Sequence, residues 1–495
     1  MKKNVLLITA DHMRSDALAC NGNPFARTPN LDALAEGGVT FRKCFTPNPI
    51  CVPARASITT GNYSHFATGI KNNSGLIHNR QNRIAHVFAD AGYETYAIGK
   101  LHYVPYAKPD EPRLLHGFQH AELCEEGRMI RRFSPFEPTR GIEDYADYLA
   151  DVGYEGFTRA HGLGNNDLHP SPSPLPAEHY VDAWTATRTL AHLEAHREKR
   201  KEQPFFMWTS FVKPHPPYDP PRPYDQLYDP REIPPPLGDA SARDRRSPVL
   251  RRHALSHGMQ FLSPQAVQVM RAYYYGMVTF QDEMIGRLVH FLNDSGLRDD
   301  TIVVYASDHG DLLGDFGGCF KCTFLNGSVR VPLIINAPGA VAEPGRPSDE
   351  LVGLQDILPT LAGLTGIELP HPMHGRDLAP TLDRKGGVRD LVISQCLDAP
   401  WQSVMACDGR WKYSYCEANG YEELYDLASD PNESVNLLER DEDKEQAARL
   451  RAAAIEWCKK YGDTNLLSGD DFVRTPVSLE AHSEFSARGM GWRWY

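Results

Sequence analysis

Three short runs constrain this chain more than anything else in it. Residues 4–10 (Asn-Val-Leu-Leu-Ile-Thr-Ala), 205–211 (Phe-Phe-Met-Trp-Thr-Ser-Phe) and 301–307 (Thr-Ile-Val-Val-Tyr-Ala-Ser) are apolar along most of their length. A strand with one wet face alternates polar and apolar residues, so runs like these read as strands covered on both faces. Helical segments lie between them. Thr28-Pro29 opens one that Gly37-Gly38 closes, and a second runs from about Pro53 to Thr60 with Gly61 as its stop. Ile84 to Ala91 reads as a helix leading into a strand over Tyr93 to Ile98, and a long helix is expected over about 264–295. Val331 to Ile335 reads as a strand and Leu354 to Leu364 as a helix. Strand alternating with helix predicts an α/β fold, a large and mainly parallel sheet flanked by helices.

With 495 residues there is room for one such domain and a smaller one. We expect the catalytic α/β domain over 1–385 and a C-terminal α+β subdomain over 386–495. The latter has short strands at 391–394 and 411–415, a polar helix over about 441–461, and an irregular tail ending Trp492-Arg493-Trp494-Tyr495. The stretch 105–260, rich in Pro, charge and aromatics, reads as excursions over the sheet edge, where substrate-selecting loops lie. Arg128, Arg131, Arg132, His161 and His169 there are candidate readers of a leaving group.

A balance of 52 basic and 64 acidic residues argues against a nucleic-acid or anionic-membrane binder. The apolar run after Met1-Lys2-Lys3-Asn4 is too short for a signal sequence, and no run approaches the ~20 residues of a membrane span. A cytoplasmic protein is expected. Ten cysteines are scattered without a disulfide rhythm. Cys319-Phe320-Lys321-Cys322 has zinc-like spacing, but no second CxxC or paired His motif accompanies it.

The chemistry gathers at strand ends. Ligands of open α/β sheets sit outside the carboxyl ends of the strands, and Asp11-His12 and Asp308-His309 each follow an apolar run directly. A lone aspartate there is commonly a cap or turn former; two, separated by most of the domain, point to a shared metal. Cys51-Val52-Pro53-Ala54-Arg55 supplies a nucleophile candidate at a helix start, where backbone N–H groups and the helix dipole favour an anion. Gly99-Lys100-Leu101-His102 follows the strand 93–98, and Pro214-His215-Pro216-Pro217-Tyr218 follows the strand beginning at Phe205. Lys321 stands twelve residues past His309. A nucleophile and two acidic strand ends are what a metal-assisted hydrolase of anionic esters needs.

On these motifs, spread from residue 4 to about 440, the chain resembles the type I, formylglycine-dependent sulfatases of the alkaline phosphatase superfamily. The resemblance implies that a formylglycine-generating enzyme oxidises Cys51 to formylglycine. Hydrated to a diol, that residue attacks sulfur through one metal-activated oxygen and expels sulfate through the other. It implies Asp11, His12, Asp308, His309 and the Cys51-derived group as ligands of one divalent metal, and Arg55 as the support of the diol and the carboxylates. Lys100 and Lys321 would bind the sulfate, His102 would support it, and His215 would protonate the leaving group. Asn73 resembles an amide that positions nucleophile or substrate, a role a shift of one would give to Asn72.

Sulfatases usually carry Asp-Asp and Asp-Asn where this chain has Asp11-His12 and Asp308-His309. Imidazole suits Mn2+ better than Ca2+, which prefers oxygen donors. Asp-His at the later position is similar to phosphonate monoester and phosphodiester hydrolases, the alternative activity; Lys100 and His102 favour sulfate. A non-catalytic binder on the same scaffold is the third reading. The expected partners are a small anionic ester, the maturing enzyme and a second copy of the chain, whose active-site mouth the aromatic tail would approach.

Overall fold

The computed structural model describes residues 2–479 apart from 74–82, 103–112, 114, 126–139, 200–201, 239, 441 and 462–463. Arg128, Arg131, Arg132 and the aromatic tail lie outside the described residues.

β1 (Asn4–Ala10) shows why the apolar runs need two covers. Leu6, Ile8 and Ala10 enter one hydrophobic cluster, while Val5 and Leu7 enter another on the opposite side of the sheet. β2 (Val39–Thr40) lies at one edge of the same sheet, and β3 (Cys44–Phe45) pairs with a short strand of a separate ladder. β4 (Glu94–Gly99), β5 (His120–Leu123), β6 (Phe205–Ser210), β7 (Thr301–Ser307) and β8 (Leu333–Asn336) complete the main sheet. Its order is β2-β8-β7-β1-β6-β4-β5. β7, β1, β6, β4 and β5 run parallel; β8 is antiparallel to β7 and to β2. The helices Pro29–Glu36, Val181–Lys199 and Pro264–Asp294 cover one face. Cys51–Thr60, Ile84–Asp90 and Ile357–Thr365 cover the other.

The stretch 105–260 is corrected in one respect: it holds a structural helix as well as excursions. Val181–Lys199 buries Val181, Ala183, Trp184, Ala186 and Leu193 against the sheet and the helix Pro264–Asp294. Its inner face is finished by Thr185 and Thr189, both fully buried, rather than by large apolar residues. Each threonine hydroxyl donates to the carbonyl one turn back, satisfying itself locally. That composition flattens the apolar periodicity by which such a helix is recognised.

β9 (Val352–Gly353) is the partner of β3. Beyond it the texture changes to an antiparallel sheet of β10 (Val392–Cys396), β11 (Ser403–Cys407), β12 (Trp411–Cys416) and β13 (Tyr421–Asp426). The helix Lys444–Tyr461 packs its Leu450, Ala454 and Cys458 on one side of this sheet, against Val404, Ala406 and Leu424. Among the described residues, no helix is long and apolar enough to cross a membrane.

Candidate active site

Strand register brings the chemistry to one rim. Thr9 and Gly99 both pair with Ser210, and Ala10 pairs with Ser307. The residues that follow, Asp11, Lys100 and Asp308, therefore leave the sheet at the same level. Gly99 makes the turn at φ +93, and its missing Cβ lets the Ser210 carbonyl approach. His12 turns with φ +67, uncommon for a residue with a side chain. Tyr274 holds that turn: its hydroxyl donates to the His12 carbonyl at 2.9 Å and accepts from the Arg14 N–H at 3.0 Å.

Cys51 is the first residue of its helix, following Ile50 in extended conformation, and all ten helix residues are buried. Asn73 Oδ1 accepts the Val52 N–H at 3.1 Å, so an orphan donor of the first turn is satisfied beside the nucleophile. Asn72 donates instead to Asp398 at 2.8 Å. Of the two amides, Asn73 is the one brought to the nucleophile's segment.

Arg55, one turn further on and fully buried, donates from Nε to Asp308 Oδ2 at 2.9 Å and from Nη1 to Ser210 Oγ at 2.7 Å. Its Nη2 lies 3.5 Å from Asp11 Oδ2, which also pairs with the Lys100 ammonium. Lys321 Nζ stands among three groups, 2.7 Å from Cys51 Sγ, 2.8 Å from His12 Nε2 and 3.1 Å from His309 Nε2. Cys51 Sγ is 3.2 Å from His309 Nε2 and 3.7 Å from Asp11 Oδ1. The rings of His215 and His12 meet edge to face at 4.4 Å, and His215 Nδ1 donates to the Pro216 carbonyl at 2.6 Å. Lys213 braces that loop, donating to Asp219 at 2.7 Å and to the carbonyls of His215 and Pro217. His161 pairs with the same Asp219 at 3.2 Å, which makes it part of the brace. His102 is half-buried on the loop after Lys100, and its backbone N–H donates to Glu125 Oε1.

The electrostatics follow from burying so many charges together. Burial pushes the Asp11 carboxyl up, but Lys100, His215, Lys321 and Arg55 outweigh it and hold the group well below the usual carboxylate range. Burial and the nearby Asp11 push the Cys51 thiol up; Lys321, His309 and Lys100 prevail and bring it to about 7. Burial holds His12 well below its ordinary value, helped by Lys321 and His309. Burial also lowers His309, yet Asp308 and the Cys51 sulfur reverse this and raise it. By contrast Cys322 is pushed up to about 12 by burial, so the CxxC flanking Lys321 is a pair of inert thiols.

One carboxylate, two imidazoles and a sulfur, from Asp11, His12, His309 and Cys51, present ligand atoms all within 4.8 Å of one another, all buried. That donor set fits a divalent cation of borderline softness, and an ammonium already stands among three of the four. Asp308 sits at the edge of the group, its Oδ1 3.7 Å from His309 Nε2 and bonded to the His309 N–H. The motifs do not single out Asp311 or Ser210, and they give Tyr218 no role beyond its place beside His215; all three hold site residues in place.

Buried donor groups ringed by Arg55, Lys100 and Lys321 form a site suited to an ester that carries negative charge. Comparison with known proteins narrows the class. The sulfatase family model matches residues 3–367, and that of the N-sulphoglucosamine sulphohydrolase C-terminal region matches 314–460. The chain is 32% identical over 467 residues to an arylsulfatase of Clostridium perfringens, covering 92% of this chain and 94% of the relative. It is 30% identical over 462 residues to a choline-sulfatase of Rhizobium meliloti, covering 91% and 85%. Among solved structures, a phosphonate monoester hydrolase of Agrobacterium radiobacter superposes with a TM-score of 0.76 at 25% identity, covering 92% of this chain and 95% of that one. This chain belongs to the sulfatase family, whose reaction is the hydrolysis of sulfuric esters.

Proposed function

We propose that the chain hydrolyses small sulfate monoesters, aryl sulfates among them, with a formylglycine made from Cys51 as nucleophile and one divalent metal. The observation that carries this is the convergence of Asp11, His12, Cys51 and His309 at the start of a buried helix, ringed by Arg55, Lys100 and Lys321. An unmodified thiol suits the reaction poorly, because a sulfo group transferred to sulfur has no easy exit. A hydrated aldehyde supplies a second hydroxyl that expels it.

Asp11, His12, His309 and the Cys51-derived group would hold the metal, with Asp308 beside them; their imidazoles favour Mn2+ over Ca2+. Bound there, a divalent cation supplies an acidified O–H and neutralises charge on the ester. The chain's own groups do the rest. Arg55 holds Asp308 and Asp11 in place and helps to keep Asp11 ionised. Lys321 and Lys100 offer donors to the equatorial oxygens of a tetrahedral anion, where charge grows in the transition state. His215, across from His12, delivers a proton to the departing oxygen. Maturation calls for a formylglycine-generating partner. Nine of the ten cysteines are buried, and they are scattered along the chain without a disulfide rhythm, which suits a reducing compartment such as the cytoplasm.

Phosphonate or phosphodiester hydrolysis is the second reading, supported by His309 and by the phosphonate hydrolase neighbour. Comparing kcat/KM for an aryl sulfate and an aryl phosphonate separates the two. Sulfate is expected to be preferred; a phosphonate preference of about a hundredfold reverses the order.

A further inference from the structure

We propose that Asp311 is the positioning residue of this site, one buried carboxylate that sets the proton of His12 and locks the loops carrying His215 and Lys321. The His12 part rests on the metal site proposed above.

Asp311 is fully buried, and each of its oxygens takes two donors. Oδ2 faces His12 Nδ1 at 2.8 Å and the Tyr218 hydroxyl at 3.0 Å. Oδ1 accepts the backbone N–H of Leu313 at 3.0 Å and of Phe320 at 2.9 Å. Tyr218 lies three residues after His215, and Phe320 directly precedes Lys321. Three functional side chains on three segments therefore depend on one group.

The partners of His12 define its tautomer. Lys321 Nζ carries only donors and lies 2.8 Å from His12 Nε2, so Nε2 is the acceptor nitrogen. The ring proton is then on Nδ1, pointing at Asp311, whose carboxylate can only accept. That leaves the Nε2 lone pair aimed at the Asp11–Cys51–His309 group, the arrangement in which a histidine binds a metal while its other nitrogen is held by a carboxylate. Asparagine does not reproduce Asp311: turned one way, its NH2 faces the backbone N–H groups of Leu313 and Phe320, and turned the other way it faces the Nδ1–H of His12. Turned towards His12, it drives the ring proton onto Nε2.

Two variants test this, Asp311→Asn and Tyr218→Phe, each checked for folding by thermal melt, stripped of metal for the binding titration and reloaded with Mn2+ for the kinetics. Mn2+ affinity is measured by titration calorimetry, and kcat and KM on two aryl sulfates, one with a good and one with a poor leaving group. Asp311→Asn is expected to weaken Mn2+ binding about 10–100-fold. Tyr218→Phe, which removes one hydroxyl from the His215 loop, is expected to bind Mn2+ far closer to wild type and to lose more kcat on the poor leaving group than on the good one. An Asp311→Asn protein with wild-type Mn2+ affinity, or a Tyr218→Phe protein slowed equally on both esters, overturns the proposal. If Asp311→Asn does not fold, the leaving-group comparison on Tyr218→Phe decides. Wild-type enzyme that binds no Mn2+ contradicts the proposed metal site instead, and the Asp311 account then stands or falls on that same comparison.

Discussion

Arg55 Nε donates to Asp308 Oδ2 at 2.9 Å with both side chains fully buried, tying the nucleophile's helix to the end of β7. The bond joins residues 253 apart in sequence. It makes the helix that starts at Cys51 and the strand end that supplies Asp308 a single rigid unit.

Arg55→Ala removes the cation and leaves two buried carboxylates, Asp308 and Asp11, without it. Breaking a buried pair in this way costs about 3–5 kcal/mol. Urea unfolding of the variant is expected to show a loss of that size together with loss of sulfate hydrolysis. Arg55→Lys is expected to recover little of either, since one ammonium cannot reach Asp308, Ser210 and Asp11 at once.

His215→Ala is expected to lower kcat by about 10²–10⁴ on esters with poor leaving groups, the usual worth of a positioned acid. Activated aryl sulfates depart without protonation and should lose much less. Plotting log kcat against leaving-group pKa checks this, the variant giving the steeper slope. Parallel lines for variant and wild type would remove His215 from the acid role.

Gly99→Ala tests the rim's backbone. At φ +93 an alanine is strained by about 1–2 kcal/mol, and its Cβ runs into the Ser210 carbonyl. The variant is expected to melt earlier. Because Lys100 is the next residue, its KM for aryl sulfate should rise as well. A variant with unchanged melting and KM would show that the β4–β6 contact tolerates a methyl group.

Acid should loosen the seam between the main domain and the helix Lys444–Tyr461. Burial lowers His65 to about 3 and His374 to about 4. His65 Nε2 bonds the Tyr461 carbonyl, and His374 Nδ1 accepts the Tyr63 N–H, so His374 must be neutral in the fold. Unfolded, both titrate near 6.5. Between about pH 6.5 and 4 the unfolded chain binds more protons, so the stability is whole above that window and falls as pH drops through it. Melting temperature followed from pH 7 to 4 should decline, and less steeply in His65→Phe. Identical slopes would place the acid sensitivity elsewhere.

The site was legible in the sequence wherever a functional residue directly follows an element with a clear pattern. Asp11, Lys100 and Asp308 come next after strands that apolar content or turn chemistry marks, and strand register then places them together. Cys51 and Arg55 share a helix face because they are one turn apart. What escaped notice depends on distant loops meeting. Nothing local marks Asp311 as the acceptor of His12 and Tyr218, or Ser210 as a partner of Arg55. The helix Val181–Lys199 is hard to read for another reason: Ala183, Thr185, Ala186 and Thr189 stand on its buried face beside Val181, Trp184 and Leu193, and these small or polar residues dilute the apolar signal. The antiparallel placement of β8 is likewise a tertiary outcome, since Leu333–Asn336 is equally apolar in either direction.

The central claim is that Cys51 works as formylglycine, and the most direct measurement is the mass of the peptide containing it, taken from protein made in its native host and shown to release sulfate. The account predicts a peptide roughly 18 Da lighter than the cysteine form, in proportion to the specific activity of the preparation. Fully active protein whose Cys51 peptide carries only the intact thiol would contradict it.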